Sequence, residues 1–279
     1  GYPGRRYYPG NAFVDEIEEL ARKRVLAAFK LSPDEWAVNV QPYSGSPANQ
    51  AIYLALAHVG DTIMGLSLAN GGHLTHGHKV SFSGIQYHSV PYGLVEKTAR
   101  IDYDALERKA KEVKPVLIFS GATAYSRIID FARIGKIAKA VGAYHIADIS
   151  HIAGLVAAGV HPAPFPHADV VMMTTQKTLR GPRGAVIVSR KRQAILRQGS
   201  GQASDKRKDG KLINELIDRA VFPGLQGGPH DATTAAIAWT FGQVATPAFK
   251  RYGAQIVKNA RALAQTLARA GDTLVSGGT

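Results

Sequence analysis

A lysine that ends an apolar run and is flanked by hydroxyls is a candidate for covalent chemistry. Val170–Met173 is such a run, and Thr174-Thr175-Gln176-Lys177-Thr178 follows it, then Leu179-Arg180-Gly181-Pro182-Arg183-Gly184. In a crowded, partly dry pocket an amine's pKa falls, which helps it act as a nucleophile. The competing reading is an ordinary surface lysine. A second apolar run, Tyr144–Ala147, ends in Asp148, followed by Ile149-Ser150-His151. A carboxylate there is costly to bury unless paired, and a buried cation is its natural partner. Helix capping is the other use of an acid in that place.

Two further segments carry polar groups after apolar runs. Gln41-Pro42-Tyr43-Ser44-Gly45-Ser46-Pro47-Ala48-Asn49 combines small residues, hydroxyls and a helix start, which suits a phosphate as well as a plain N-cap. Ala69-Asn70-Gly71-Gly72-His73-Leu74-Thr75-His76-Gly77-His78 holds three histidines in six residues. They are open to a metal, to a ring stacked on a flat cofactor, or to solvent. No carboxylate or cysteine lies close by in sequence to complete a metal set. Asp148 and Lys177 end different runs, 29 positions and one crossover apart. That spacing can bring a carboxylate to a pyridinium nitrogen while the amine reaches an aldehyde on the same ring.

The elements that must position these groups alternate. Strands are read at Ala37–Gln41, Asp61–Leu66, Val116–Phe119, Tyr144–Ala147, Val170–Met173 and Ala185–Ser189. Helices are read at Val14–Phe29, from the Ser44–Ser46 turn to about His58, and at Tyr103–Val113, Phe131–Ala140, Ala232–Gln243 and Phe249–Ala270. Short apolar strands between helices indicate an α/β fold with a mostly parallel central sheet. Ligands in such folds sit beyond the carboxyl ends of the strands, where the four polar segments lie. There is no internal repeat, and Gln198–Lys211 reads as a polar insert.

The 279 residues carry a formal charge of +13 and contain no cysteine, which excludes disulfides and thiolate metal sites. No apolar run is long enough to span a bilayer, so the reading is a cytoplasmic protein without membrane contact. The basic surplus gathers at Arg190-Lys191-Arg192 with Arg197, and at Lys206-Arg207-Lys208 with Lys211. Without interleaved aromatic residues this suits anionic small ligands better than single-stranded nucleic acid.

Ala147-Asp148-Ile149-Ser150-His151-Ile152-Ala153-Gly154, Thr174–Gly184 and Val221-Phe222-Pro223-Gly224-Leu225-Gln226-Gly227-Gly228-Pro229 resemble the serine hydroxymethyltransferase family. Gly1-Tyr2-Pro3-Gly4-Arg5-Arg6-Tyr7-Tyr8, Gln41–Asn49 and Gly71–Gly77 match the same family in the same order. The resemblance implies the large domain of a fold-type I pyridoxal-phosphate (PLP) transferase over 1–245, with 246–279 leading into a small C-terminal domain. It implies transfer of the hydroxymethyl carbon of serine to tetrahydrofolate, leaving glycine, in a homodimer or dimer of dimers. By motif, Lys177 is the Schiff-base lysine, Asp148 pairs with the ring nitrogen, and His73 stacks on the ring. Thr123 and His151 lie near the phenolic oxygen. Ser44, Gly45 and Ser46 hold the phosphate, and Gly227 and Gly228 reach the phosphate of the neighbouring subunit's cofactor. Leu68, Gly72, His73 and Leu74 contact folate, Arg183 and Tyr8 are supporting residues, and no metal is implied.

Departures bear on specificity. Gln176 stands where the family usually has histidine, Thr123 where serine is common, and Tyr43 and Asn70 where histidines are usual. Gln176 keeps open a sister PLP reaction, such as a β-hydroxy amino acid aldolase or an α-methylserine transferase. A non-catalytic nucleic-acid binder on the same fold is the reading from another class. The chain begins inside a family motif and stops where the small domain should start. It therefore reads as a fragment that by itself binds PLP weakly and turns over serine poorly.

Overall fold

A computed structural model describes residues 1–195 and 210–278. Its helices are α1 (Ala12–Phe29), α2 (Gly45–Leu56), α3 (Phe82–Gln86), α4 (Tyr103–Val113), α5 (Phe131–Ala140), α6 (Ala153–Ala157), α7 (Ile213–Arg219), α8 (Asp231–Val244) and α9 (Pro247–Arg269). Its strands are β1 (Trp36–Asn39), β2 (Thr62–Met64), β3 (His88–Ser89), β4 (Leu94–Val95), β5 (Arg100–Ile101), β6 (Leu117–Ser120), β7 (Tyr144–Asp148), β8 (Val170–Thr174) and β9 (Ala185–Arg190). Among the described residues β4 and β5 form a separate antiparallel pair. The other seven strands make one sheet in the order β1-β9-β8-β7-β6-β2-β3. Only β9 runs against its neighbours, pairing antiparallel with both β1 and β8. The strands read from sequence thus form the expected mostly parallel sheet.

Strands β6, β7 and β8 are buried along their whole length, as an apolar strand covered on both faces must be. Alternate residues supply the two cores. Ile118, Ala147, Val171, Met173 and Val186 face α1, α4, α5 and α8. Leu117, Phe119, Ile146, Met172 and Ile187 face α2 and α7. The result is helix, sheet and helix in three layers.

Local signals account for the helices that were legible. Asp102 caps α4 by accepting from Ala105 N at 2.8 Å, and Asp130 caps α5 by accepting from Arg133 N at 2.9 Å. Thr246 caps α9, with Pro247 in the first turn. Some bounds differ from the sequence reading. β1 ends at Asn39 rather than Gln41, because Gln41 leaves the sheet and donates to buried Glu18. α2 stops at Leu56, and Ala57 is already extended. The basic cluster around Arg190 is engaged in the fold: Arg190 donates to Phe165 O, and Arg192 pairs with Asp169 at 2.7 Å. Arg197, Lys206, Arg207, Lys208 and nearly all of the Gln198–Lys211 insert lie outside the described residues. No described helix is long and apolar enough to cross a membrane.

Phe241 of α8 is fully buried and meets Phe29 of α1 edge-on, with ring centroids 6.1 Å apart. Truncating such a ring leaves a cavity. Phe241→Ala is expected to lower unfolding free energy by about 3–5 kcal/mol, seen as a lower urea midpoint at unchanged slope.

Candidate active site

Strands β1, β2, β6, β7 and β8 point the same way, so the segments after them meet at one edge of the sheet. There Ser44, Gly45 and Ser46, His73, Thr123, Asp148, His151 and Gln176, Lys177 and Arg183 line one cleft. The crossover arrangement brings together most of the residues singled out in the sequence.

Asp148 closes β7 and is 7% exposed. Its Oδ2 accepts from Asn49 Nδ2 and His76 Nε2, both at 3.0 Å. Its Oδ1 accepts from Ser150 N at 3.1 Å and Ser150 Oγ at 2.6 Å. Burial alone would raise this carboxyl's pKa. The bonds from His76, Ser150 and Asn49 outweigh it and hold Asp148 well below the usual carboxylate range. The sequence reading expected a buried cation here; among the described residues Asp148 pairs with no lysine or arginine. Neutral donors and an imidazole from three chain segments take that role.

His73 begins the 3-10 turn Leu74–His76, and its Nδ1 accepts from Thr75 N at 3.2 Å. The same Nδ1 lies 2.8 Å from Thr75 Oγ1. A ring nitrogen that accepts a backbone N–H carries no proton, so the ring is neutral with its proton on Nε2. Burial, the neighbouring His76, Lys177 and His151 lower its pKa to about 4, against an opposing pull from Asp148. The loop is anchored by Gly71, whose φ is 92° and whose carbonyl accepts from Thr123 N at 2.8 Å. A side chain at Gly71 would strike the carbonyl of Ala124. The three histidines take separate partners: His73 bonds Thr75, His76 bonds Asp148, and His78 Nδ1 accepts weakly from Val80 N at 3.5 Å.

Lys177 is half-buried, and its Nζ lies 3.0 Å from His151 Nε2. An ammonium only donates, so His151 accepts at Nε2 and is itself neutral. Burial lowers the lysine's pKa and Arg183 adds to that, while Asp148 opposes it. His151 is lowered too, by burial and by Lys177. Thr178 fixes the pair by donating from Oγ1 to His151 O at 3.2 Å.

The cleft has capacity to spare. Asn49 Oδ1, His76 Nδ1, Thr174 Oγ1 and Gln176 Oε1 are buried without a hydrogen-bond partner among the described residues, and all four side chains line it. Such orphans call for a ligand or ordered water. At one end α2 presents its N-terminus, where Ser44 makes no side-chain cap. A Cβ on Gly45 would lie 2.7 Å from Thr174 Cγ2, so only glycine lets the helix start come this close to β8. Free helix amides and small hydroxyls suit a phosphate. A carboxylate, a neutral imidazole and a depressed lysine suit a protonated heteroaromatic aldehyde. The donor set therefore fits PLP.

Some sequence-singled residues lie outside this cleft. Tyr8 is 73% exposed and meets Tyr7 edge-on. Gly227 and Gly228 are exposed, and a Cβ on either would touch none of the described residues. Leu68 and Leu74 stand exposed on either side of buried Gly72, in the loop that carries His73. The sequence reading missed Asn49, Thr75, Ser150 and Thr174 as site residues, and His76 as the ring that bonds Asp148. His76 follows His73 by three positions, a spacing that places two rings on one turn, and this was its available signal.

An open, mostly parallel sheet with a lysine, an aspartate and an uncapped helix start at its carboxyl edge is the architecture of a fold-type I PLP transferase domain. The serine hydroxymethyltransferase family model matches residues 1–279. Serine hydroxymethyltransferase of Desulfotalea psychrophila is 50% identical over 279 residues, covering all of this chain and 60% of that protein. Serine hydroxymethyltransferase 2 of Mesorhizobium japonicum is 52% identical over 282 residues, covering all of this chain and 62% of the relative. The Sorangium cellulosum enzyme is 52% identical over 279 residues, again with the whole chain and 60% of the relative. The chain belongs to the serine hydroxymethyltransferase family, and it spans about three-fifths of the length of these relatives.

The histidines set an acid limit on stability. Unfolded imidazoles take up protons near pH 6.5, whereas folded His73 and fully buried His145 resist until about 4. The unfolded chain then binds more protons, so stability falls as pH drops through that window. His73→Gln is expected to make the fall shallower in urea titrations from pH 7 to 4. Nitrogen-15 NMR should show His73 protonated only at Nε2 at pH 7.

Proposed function

We propose that this chain carries the cofactor site of a serine hydroxymethyltransferase that converts serine and tetrahydrofolate to glycine and 5,10-methylenetetrahydrofolate. What supports this is the meeting of Lys177 Nζ, buried Asp148 and neutral His73 in one cleft beside the uncapped start of α2. When bound, PLP supplies an aldehyde that joins amines and a ring that withdraws electrons from the substrate's α-carbon.

The chain's own residues then divide the work. Asp148, held ionised by its hydrogen bonds, keeps a proton on the ring nitrogen. His73 offers a neutral ring face to stack, with Nε2–H as its free donor. Ser44, Gly45 and Ser46 bind the phosphate. Lys177 is the attachment point, and His151 Nε2 is the acceptor for a proton leaving its amine. Thr123 and His151 bond the phenolic oxygen, and Arg183 supports the lysine. Leu68, Gly72 and Leu74, in the His73 loop, form the folate edge. Gly227 and Gly228, open in this chain, face the cofactor phosphate of a second subunit in a homodimer or dimer of dimers. Tyr8 supports the assembled enzyme from outside the cleft. The cysteine-free composition agrees with cytoplasmic one-carbon metabolism.

Gln176 is the proposed specificity residue. It lines the cleft, its Oε1 has no partner among the described residues, and an amide stays neutral at every working pH.

Borohydride reduction at saturating PLP is expected to leave a pyridoxyl group on Lys177 in the peptide map. Lys177→Ala should abolish it, and labelling of other lysines alone would contradict the proposal. Asp148→Asn should weaken PLP binding at least ~10-fold, for loss of a charge-assisted bond of about 1.5–3 kcal/mol. Gln176→His should add an ionisation near neutral pH to the profile of serine turnover. An unchanged profile would remove Gln176 from the specificity role.

A further inference from the structure

We infer that Arg180 is a positioning residue for Lys177: its guanidinium, stacked on Tyr252, clamps the turn that carries the amine to helix α9. The inference deepens the proposed site, since its use in catalysis rests on Lys177 being the attachment point.

The turn after β8 closes on itself. Arg180 N donates to Lys177 O at 2.9 Å, and Gly181 N donates to Thr175 O at 2.7 Å. To close it, Arg180 takes a left-handed backbone with φ of 59°. Side chains avoid that region because Cβ crowds the following carbonyl. A non-glycine residue stays there only where its surroundings over-determine it.

Those surroundings lie on α9. The Arg180 guanidinium carbon sits 3.9 Å from the Tyr252 ring centroid and 5.4 Å from that of Phe249. The two rings are three residues apart and share one helix face. A flat guanidinium stacks on such rings, which a lysine ammonium does not do. α9 is firmly seated, since Phe249 is buried and Gly253 abuts Ala158 at the end of α6.

Other sides of the turn are equally close. Gly154 of α6 abuts the Thr178 carbonyl, and its N–H donates to Thr178 Oγ1 at 3.0 Å. A Cβ on Gly181 would lie 2.8 Å from Thr240 Oγ1 of α8. Lys177 thus stands on a turn gripped by α6, α8 and α9, and Arg180 makes the grip on α9. Releasing it lets the turn relax outward, rehydrates the amine and loosens its 3.0 Å contact with His151.

The test needs no cofactor. Lysines are dimethylated with carbon-13 formaldehyde, and the Lys177 resonance is assigned by its loss in Lys177→Arg and titrated by NMR. The unaltered protein should show Lys177 below the ordinary lysine value. Tyr252→Leu and Arg180→Gly should each raise it toward the ordinary lysine value, as rehydration of the amine requires. The double variant should show no more than either single change, because one interaction is lost. Tyr252→Phe, which keeps the ring, should restore the original value. Arg180→Gly relieves the backbone and keeps the turn, so it carries the test if Tyr252→Leu does not fold. An unshifted Lys177 in the folded variants, whatever their melting temperatures, would overturn the inference and reduce Arg180 to a structural contact. Because PLP is absent, this outcome is separate from failure of PLP to attach to Lys177.

Discussion

A carboxylate buried at the end of a central strand is the constraint on which the site depends. Asp148 can stay ionised there only because Asn49, His76 and Ser150 all donate to it. Those donors come from α2, from the loop after β2 and from the turn after β7 itself. The charge therefore ties three chain segments to one point. It fixes where α2 begins, and so where Ser44, Gly45 and Ser46 stand. It also fixes the loop that carries His73. The proton balance follows from the same charge, which raises the pKa of Lys177 and His73 while burial pulls both down.

The rest of the cleft is arranged to be completed. His73 and His151 are neutral, each with one ring nitrogen committed, His73 on Thr75 and His151 beside Lys177. Buried atoms of Asn49, His76, Thr174 and Gln176 lack partners on the same lining. An unfilled polar site of this kind is a cost to the free protein that a bound ligand offsets. The proposed attachment of PLP rests on this chemistry. The choice of serine and folate leans on kinship with the serine hydroxymethyltransferase family.

The elements legible in the sequence were those whose instructions are local. Tyr103–Val113 and Phe131–Ala140 have the read bounds because capping aspartates and apolar periodicity define them. The runs that became β6, β7 and β8 were legible because burial on both faces demands unbroken apolar sequence. Short pieces such as β3, α3 and α6 were not read, since a few residues carry no periodicity and their form depends on distant contacts. The same holds in the site. Lys177, Asp148 and His73 stand out as polar groups at strand ends. The bonds that govern Asp148 come from Asn49 and His76, 99 and 72 positions away. No local pattern announces them. Gly227 and Gly228 entered through family resemblance; among the described residues a Cβ on either would meet nothing, and Tyr43 Oη donates to Gly228 O at 2.7 Å.

The central claim is that one cleft holds PLP between Lys177 and Asp148. A crystal structure of the protein at saturating PLP tests it most directly. The account predicts a covalent link between Lys177 Nζ and the ring's aldehyde carbon, the ring nitrogen within hydrogen-bond distance of Asp148, and the phosphate at the start of α2. A cofactor bound elsewhere, or one with its ring nitrogen turned away from Asp148, would contradict it.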